Sequence, residues 1–297
     1  DNLQGKKIDL IVGGPPCQGF SVSGKRMIDD PRNKLYKSFV GLVDQIRPKV
    51  FVMENVPGLI RLFGGKVKEQ VLNDFSSLGY RVKVQQLSSD DYGVPQQRKR
   101  VFFVGVNDEK ISKKNEFEFP KAEYGDGMRP YVTCKEAISD LDFVPDDVSL
   151  GENIEYKIPA QSEYQNLMRK GSHSIKNHSI TIHKEQTKKI IAMVPDGGNY
   201  KDLPIELQNT RKVHIAWTRM NSEKPCFTID TGHNHHFHYK ENRVPTVRES
   251  ARIQSFPDKF EFIGIKTSQL KQVGNAVPPL MARAIAKEVI KTIGDTR

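Results

Sequence analysis

A cysteine at the end of an apolar run is the side chain best placed for covalent chemistry. Ile8-Asp9-Leu10-Ile11-Val12-Gly13 leads through Gly14 into Pro15-Pro16-Cys17-Gln18. Ligands of open α/β sheets bind beyond the carboxyl ends of the strands, so a thiol there faces a cleft. Such a thiol is a nucleophile when a neighbour forms its thiolate or shares its proton load. The alternative is a small buried hydrophobe, the usual fate of a lone cysteine. Glu54 follows a second apolar run, Val50-Phe51-Val52-Met53. Neighbouring parallel strands bring their ends together, which would carry Glu54 to the same crevice. Partial desolvation raises the pKa of a carboxyl so placed and suits it to hold or share a proton. A helix cap or a surface carboxylate is the competing reading. In Gln96-Gln97-Arg98-Lys99-Arg100, Arg98 and Arg100 alternate to one side. They could meet Glu54, a phosphate or a carbonyl oxygen, or form a solvated edge.

The elements that must position these residues follow from patterning. Ile8 to Gly13 reads as a buried parallel strand, continuous and β-branched. Residues 18 to 31 form a polar loop. Residues 33 to 47 carry Leu35, Phe39, Leu42, Val43 and Ile46 at helical spacing, ended by Pro48. Val50 to Met53 is a second buried strand. Residues 66 to 78 suit a helix bearing Val67, Val71, Leu72, Phe75 and Leu78, capped by Gly79. Strands follow at 81 to 87 and 100 to 106. Alternation of strand and helix implies a mainly parallel sheet with covering helices. From 107 to 245 the pattern dissolves into polar sequence with short apolar runs, as in a second, recognition-type domain. Thr246 to Arg252 reads as a capped helix. Gly274-Asn275-Ala276-Val277-Pro278-Pro279 opens a final helix over 279 to 292, with Leu280, Ala284, Ile285, Val289 and Ile290 on its apolar side.

Lys and Arg total 46 against 36 Asp and Glu, a net charge of +10. That excess favours a polyanionic partner, or serves solubility alone. Cys17, Cys134 and Cys226 are too few and too scattered for a disulfide framework, which suits a reducing cytoplasm. No apolar run reaches the ~18 residues of a membrane span. His233, His235, His236 and His238 cluster, but in no standard metal spacing, and no metal site is expected.

Taken in order, these segments resemble the DNA cytosine-C5 methyltransferases, bacterial restriction–modification type, which use S-adenosylmethionine. The resemblance rests on Pro15-Pro16-Cys17-Gln18-Gly19-Phe20-Ser21, Glu54-Asn55-Val56, Gln96-Gln97-Arg98-Lys99-Arg100, Arg248-Glu249-Ser250-Ala251-Arg252 with Gln254-Ser255-Phe256-Pro257-Asp258, and Gly274 to Pro279. It implies a Rossmann-like α/β methyltransferase domain over 1–117, a smaller, mostly irregular or β target-recognition domain over 118–270, and a C-terminal helix, 271–297, returning to the first. It implies double-stranded DNA as partner and a cytoplasmic site of action at the nucleoid. Cys17 would add to C6 of a flipped-out cytosine, making C5 nucleophilic toward a sulfonium methyl. Glu54 would contact N3, Arg100 would hold O2 and orient Glu54, and Arg98 would support that network. Gln18, Ser21, Ser23, Lys25, Arg26 and Arg32 would close over DNA.

The family's glycine-rich loop and acidic ribose and adenine contacts precede its cysteine strand, and they are absent here. By resemblance, Pro16, Leu35, Asn275, Ala276 and Val277 remain of the cofactor pocket. The expectation is an incomplete pocket, with the rest in a missing N-terminal segment or partner subunit, and weak binding of S-adenosylmethionine by this chain. Two other readings stay open. One is a tRNA cytosine methyltransferase, suggested by Cys226-Phe227-Thr228. The other is a non-catalytic nucleic-acid-binding subunit.

Overall fold

The computed structural model describes residues 6–16, 34–142, 153–208, 217–231 and 236–294. The chain divides into two compact units. One comprises 1–88, 99–121 and 283–297; the other comprises 89–98 and 122–282.

The first unit is a four-stranded sheet with helices. Strand β1 (Leu10–Gly13) leads by way of helix α1 (Lys34–Ile46) to β2 (Val50–Asn55). Helix α2 (Lys66–Ser77) then precedes β3 (Tyr80–Ser88) and β4 (Lys99–Asn107). Spatial order is β1-β2-β4-β3. β1 and β2 are parallel, while β4 runs antiparallel to both its neighbours. The expected mainly parallel sheet is therefore a mixed one. The reason lies in the connection between β3 and β4. Only 89–98 separates them, too short for the dozen or more residues of a crossover, so the two pair as an antiparallel ribbon.

β1 also departs from expectation. Ile11 is buried, but Leu10 is exposed and Val12 is 67% exposed. Among the described residues β1 has a strand on one side only, so a run that reads as buried on both faces is covered on one. α1 buries Tyr36, Phe39 and Val43, spaced i, i+3 and i+7, and leaves Leu35 and Leu42 outside. The core joins these to Phe51, Met53, Phe75, Tyr80 and Phe103. At its centre Phe51 lies opposite Gly105. A Cβ at 105 would fall 2.0 Å from the Phe51 ring, so the glycine is what admits the aromatic there.

The second unit is irregular, with short helices: α3 (Cys134–Ile138), α4 (Glu163–Arg169), α5 (Glu185–Ala192) and α6 (Ile205–Gln208). Its strands, among the described residues, form a parallel two-residue ladder, β5 (Thr218–Arg219) with β6 (His236–Phe237), beside isolated bridges such as Ile154 with Ile175. Helices α7 (Val247–Ile253), α8 (Lys266–Asn275) and α9 (Pro279–Ile293) follow; from Arg283 onward α9 is counted with the first unit. α9 buries Met281, Ile285 and Val289, while Ile290 is exposed, contrary to the apolar stripe read from sequence. No helix among the described residues is long and apolar enough to cross a membrane.

α7 is buried along its whole length despite three charged residues. Thr246 and Glu249 form a reciprocal capping box at its start. Arg252 donates to both oxygens of Asp258 at 2.6 Å, and to Asp140 at 3.1 and 3.3 Å. Arg248 donates to the carbonyls of Lys176 and Phe260 at 2.9 and 2.6 Å. The helix is thus a polar hub inside an apolar shell. Removing one partner strands the others as buried charges. Arg252→Leu is expected to destabilise the protein by about 3–5 kcal/mol. A denaturant midpoint close to the parent's would contradict this.

His238 is fully buried beside that hub. Its Nδ1 accepts the main-chain N–H groups of Lys240 and Glu241 at 3.1 and 3.0 Å. Its Nε2 lies 3.6 Å from Glu249 and 3.7 Å from Asp142. Burial pushes its pKa down to about 4, against the nearby Glu249 charge. An unfolded histidine titrates near pH 6.5. Between pH 6.5 and 4 the unfolded chain therefore holds a proton that the folded chain does not. Stability falls as pH drops through that window, by up to about 3 kcal/mol, and is unaffected by this group above it. Burial disfavours the Glu249 carboxylate too, yet Arg243 overrides this and holds its pKa well below the usual range, so its acid loss comes at lower pH. Thermal melts from pH 7.5 to 4.5 should show the decline, and His238→Gln should flatten it. Equal slopes in the two proteins would assign the decline elsewhere.

Candidate active site

The ends of β1 and β2 build the site. In the parallel register Gly13 lies opposite Met53, which sets Gly14 and Pro15 alongside Glu54 and Asn55. A Cβ at Gly14 would stand 3.0 Å from Glu54 Oε2, so the carboxylate rests against that stretch of main chain. Asn55 Nδ2 donates to the carbonyl of Pro15 at 2.9 Å. Two residues further on is Cys17.

Arg100 reaches Glu54 through the antiparallel register. Glu54 pairs with Phe102 across β2 and β4, and Arg100 is two residues from Phe102 on the same face. Diagonal neighbours of this kind lie within reach of long side chains. Arg100 Nε donates to Glu54 Oε1 at 2.8 Å, with the two side chains 15% and 18% exposed. Burial lowers the Arg100 pKa and the Glu54 charge opposes that fall; the guanidinium stays protonated. The product is a carboxylate fixed by a permanent cation, one oxygen held and one turned to Gly14. A carboxylate so placed can accept from a flat heterocycle without reorganising.

The other expected residues fall as follows. Arg98, in the second unit, is buried and donates to the carbonyls of Ile229 and Gly274 at 3.0 and 2.6 Å. Those bonds make it a clamp on main chain. Gly274 is required where Arg98 grips, because a Cβ there would lie 2.3 Å from the Asp230 carbonyl oxygen. Gln96, from the same motif, is buried; it accepts from Ile229 N at 2.8 Å and donates to Gln254. Pro16 and Leu35 are exposed in the first unit. In the second, Asn275 is exposed at the end of α8, and Ala276 and Val277 are half-buried between α8 and α9. Cys17, Gln18, Ser21, Ser23, Lys25, Arg26 and Arg32 lie outside the described residues, as do His233 and His235. Among the described residues no three His, Cys, Asp or Glu side chains gather as metal ligands. A cavity of about 530 Å³ in the second unit, lined by Asp142, Thr181, His183 and Arg243, holds none of the expected site residues. Sequence reasoning missed the roles of Asn55 and Gly14. A short amide beside the catalytic-type glutamate, facing a Gly-Pro-Pro turn, was the signal available.

Comparison with known proteins adds to this geometry. Residues 1–291 match the family described as C-5 cytosine-specific DNA methylase. The Type II methyltransferase M1.HphI of Haemophilus parahaemolyticus is 38% identical over 293 residues, 98% of this chain and 70% of that protein. The Type II methyltransferase M.DdeI of Desulfomicrobium norvegicum is 37% identical over 304 residues, covering 95% and 72%. A solved structure of a putative DNA modification methyltransferase, encoded within a prophage of E. coli, superposes with a TM-score of 0.71 at 28% identity, covering 95% of this chain and 78% of that one. The ordered motifs, the Glu54–Arg100 pair and these likenesses agree: the chain belongs to the C-5 cytosine-specific DNA methylase family and is a DNA cytosine-5 methyltransferase.

Proposed function

We propose that this chain methylates C5 of a cytosine flipped out of duplex DNA, in a restriction–modification setting, with Cys17 as the covalent nucleophile. The observation that carries the proposal is the Glu54–Arg100 pair held against Gly14, three residues before Cys17. C5 of cytosine is a poor nucleophile. Addition of the Cys17 thiolate to C6 moves the ring's electron pair to C5 and makes it reactive. Glu54 stabilises the protonated N3 as charge develops, and Arg100 binds O2 while keeping Glu54 in place. Loss of the C5 proton to water then returns the electron pair and expels Cys17. The base cannot be reached inside the stack, so it must be everted; Gln18, Ser21, Ser23, Lys25, Arg26 and Arg32 close over the duplex. Arg98 serves as a clamp on the main chain of Ile229 and Gly274.

S-adenosylmethionine supplies an electrophilic sulfonium methyl when bound. Exposed Pro16 and Leu35 fit an apolar wall for it, with Asn275, Ala276 and Val277 as further contacts. The glycine-rich and acidic contacts come, in this proposal, from a further N-terminal segment or a partner subunit. The open face of β1 at Leu10 and Val12 supports that reading. The protein acts in the cytoplasm, at the nucleoid.

The test is transfer of label from methyl-labelled S-adenosylmethionine to duplex DNA and to tRNA. Label in 5-methylcytosine of DNA is expected, at a rate increased by the N-terminal segment of a relative added in trans. Label in tRNA alone would contradict the proposal.

A further inference from the structure

Asn55 is the last residue of β2, and its side chain is buried. Its amide is used at both ends. Nδ2 donates to Pro15 O at 2.9 Å, and Oδ1 accepts the N–H of Val56 at 2.9 Å. The need for this amide follows from the sequence it grips. Pro15 and Pro16 have no N–H, so the chain leaving β1 cannot extend the ladder by donating to its neighbour. What Pro15 does offer is a carbonyl. Asn55, at the adjacent strand end, supplies a donor to it. A carboxylate in place of the amide could still accept from Val56 but would face Pro15 O with another acceptor. Consecutive residues of β2 thus hold the two residues that follow β1: Glu54 rests on Gly14 and Asn55 ties Pro15.

We infer that Asn55 is a positioning residue for the reaction. It fixes the Pro15 carbonyl, and with it the main chain that leads, two residues on in sequence, to Cys17. The inference deepens the proposed function and rests on it. Asn55 touches no reacting atom; it acts through the main chain two residues before the nucleophile.

The step to be measured is the addition alone. When the Cys17 thiolate adds to C6, the electron pair reaches C5 and takes up a solvent proton. Removal of the original C5 hydrogen and expulsion of the thiolate restore cytosine. The net change is exchange of the C5 hydrogen with water, with no methyl donor, oxidant or reductant. Release of tritium from duplex DNA containing [5-³H]cytosine follows it directly.

Asn55→Asp keeps the size of the side chain and the acceptor for Val56 but loses the donor. It is expected to slow tritium release about 10²-fold, the cost of misplacing a reacting group by about an ångström. Its melting temperature and its affinity for the same duplex, read by fluorescence anisotropy, should stay near the parent's. Asn55→Gln, with both amide groups on a longer stem, should recover part of the exchange. It also keeps the proposal testable where Asp destabilises the fold. Equal release by the parent and both variants would overturn the positioning role alone. A parent that binds the duplex but releases no tritium would overturn the cytosine chemistry beneath it.

Discussion

Cys17→Ser is expected to abolish methyl transfer, by roughly 10⁶-fold, the scale on which other enzymes lose rate when a covalent nucleophile is removed. The reason is the acidity of the attacking group. A serine hydroxyl forms almost no alkoxide near neutral pH, whereas a thiol with pKa about 8.5 keeps a few per cent of thiolate. The other two cysteines cannot substitute. Cys134 and Cys226 are both buried in the second unit's core, and burial pushes the Cys226 thiol well up, away from the thiolate. Duplex binding should survive, because the change is one atom. Filter binding and methyl transfer on the same preparation separate the two effects. A serine variant that methylates at the parent rate would remove Cys17 from the mechanism.

Glu54→Gln should lower kcat by about 10²–10⁴-fold with little change in duplex affinity. The amide keeps the shape of the side chain and one hydrogen-bond acceptor for Arg100. It cannot share a proton with the ring nitrogen as the adduct forms. Loss of the carboxylate also leaves Arg100 largely buried without its counter-charge, which costs stability. Tritium release and a thermal melt on the same variant tell these apart: the chemical role predicts loss of exchange in protein that is folded at the assay temperature. Exchange in proportion to the folded fraction would make Glu54 structural only.

Much of this was legible in the sequence because each strand end carries its own punctuation. Val50 to Met53 reads as a strand stopped by Glu54-Asn55; the strand is there, but it runs on through both. Thr246 to Arg252 reads as a capped helix, and Thr246 with Glu249 forms its capping box. The direction of β4 was not legible, since it depends on the length of 89–98 and not on any property of the strand's own residues. Nor was the exposure of Val12, because a continuous apolar run specifies affinity for cover without specifying where the cover comes from. The charged motifs show a different limit. Arg248, Glu249 and Arg252 lie in a segment that reads only as a capped helix, yet all three are buried: Arg248 bonds the Lys176 carbonyl and Arg252 bonds Asp140, far away in sequence, while Glu249 pairs with Arg243 six residues before it. Arg98 and Arg100 are two residues apart with the same side chain. The register of β2 and β4 assigns only Arg100 to Glu54, while Arg98 grips Ile229 and Gly274. Long-range partners of this kind leave no local pattern.

The most direct measurement of the central claim is the mass of the protein after incubation with S-adenosylmethionine and duplex DNA carrying 5-fluorocytosine at the target position. Fluorine cannot leave C5 as the proton does, so the adduct cannot be resolved once the methyl has been added. The account predicts a stable protein–DNA species, with the modified peptide containing Cys17 and no adduct in Cys17→Ser. Ready methylation of ordinary cytosine with no trapped species on the fluorinated duplex, or an adduct on Cys134 or Cys226, would contradict it.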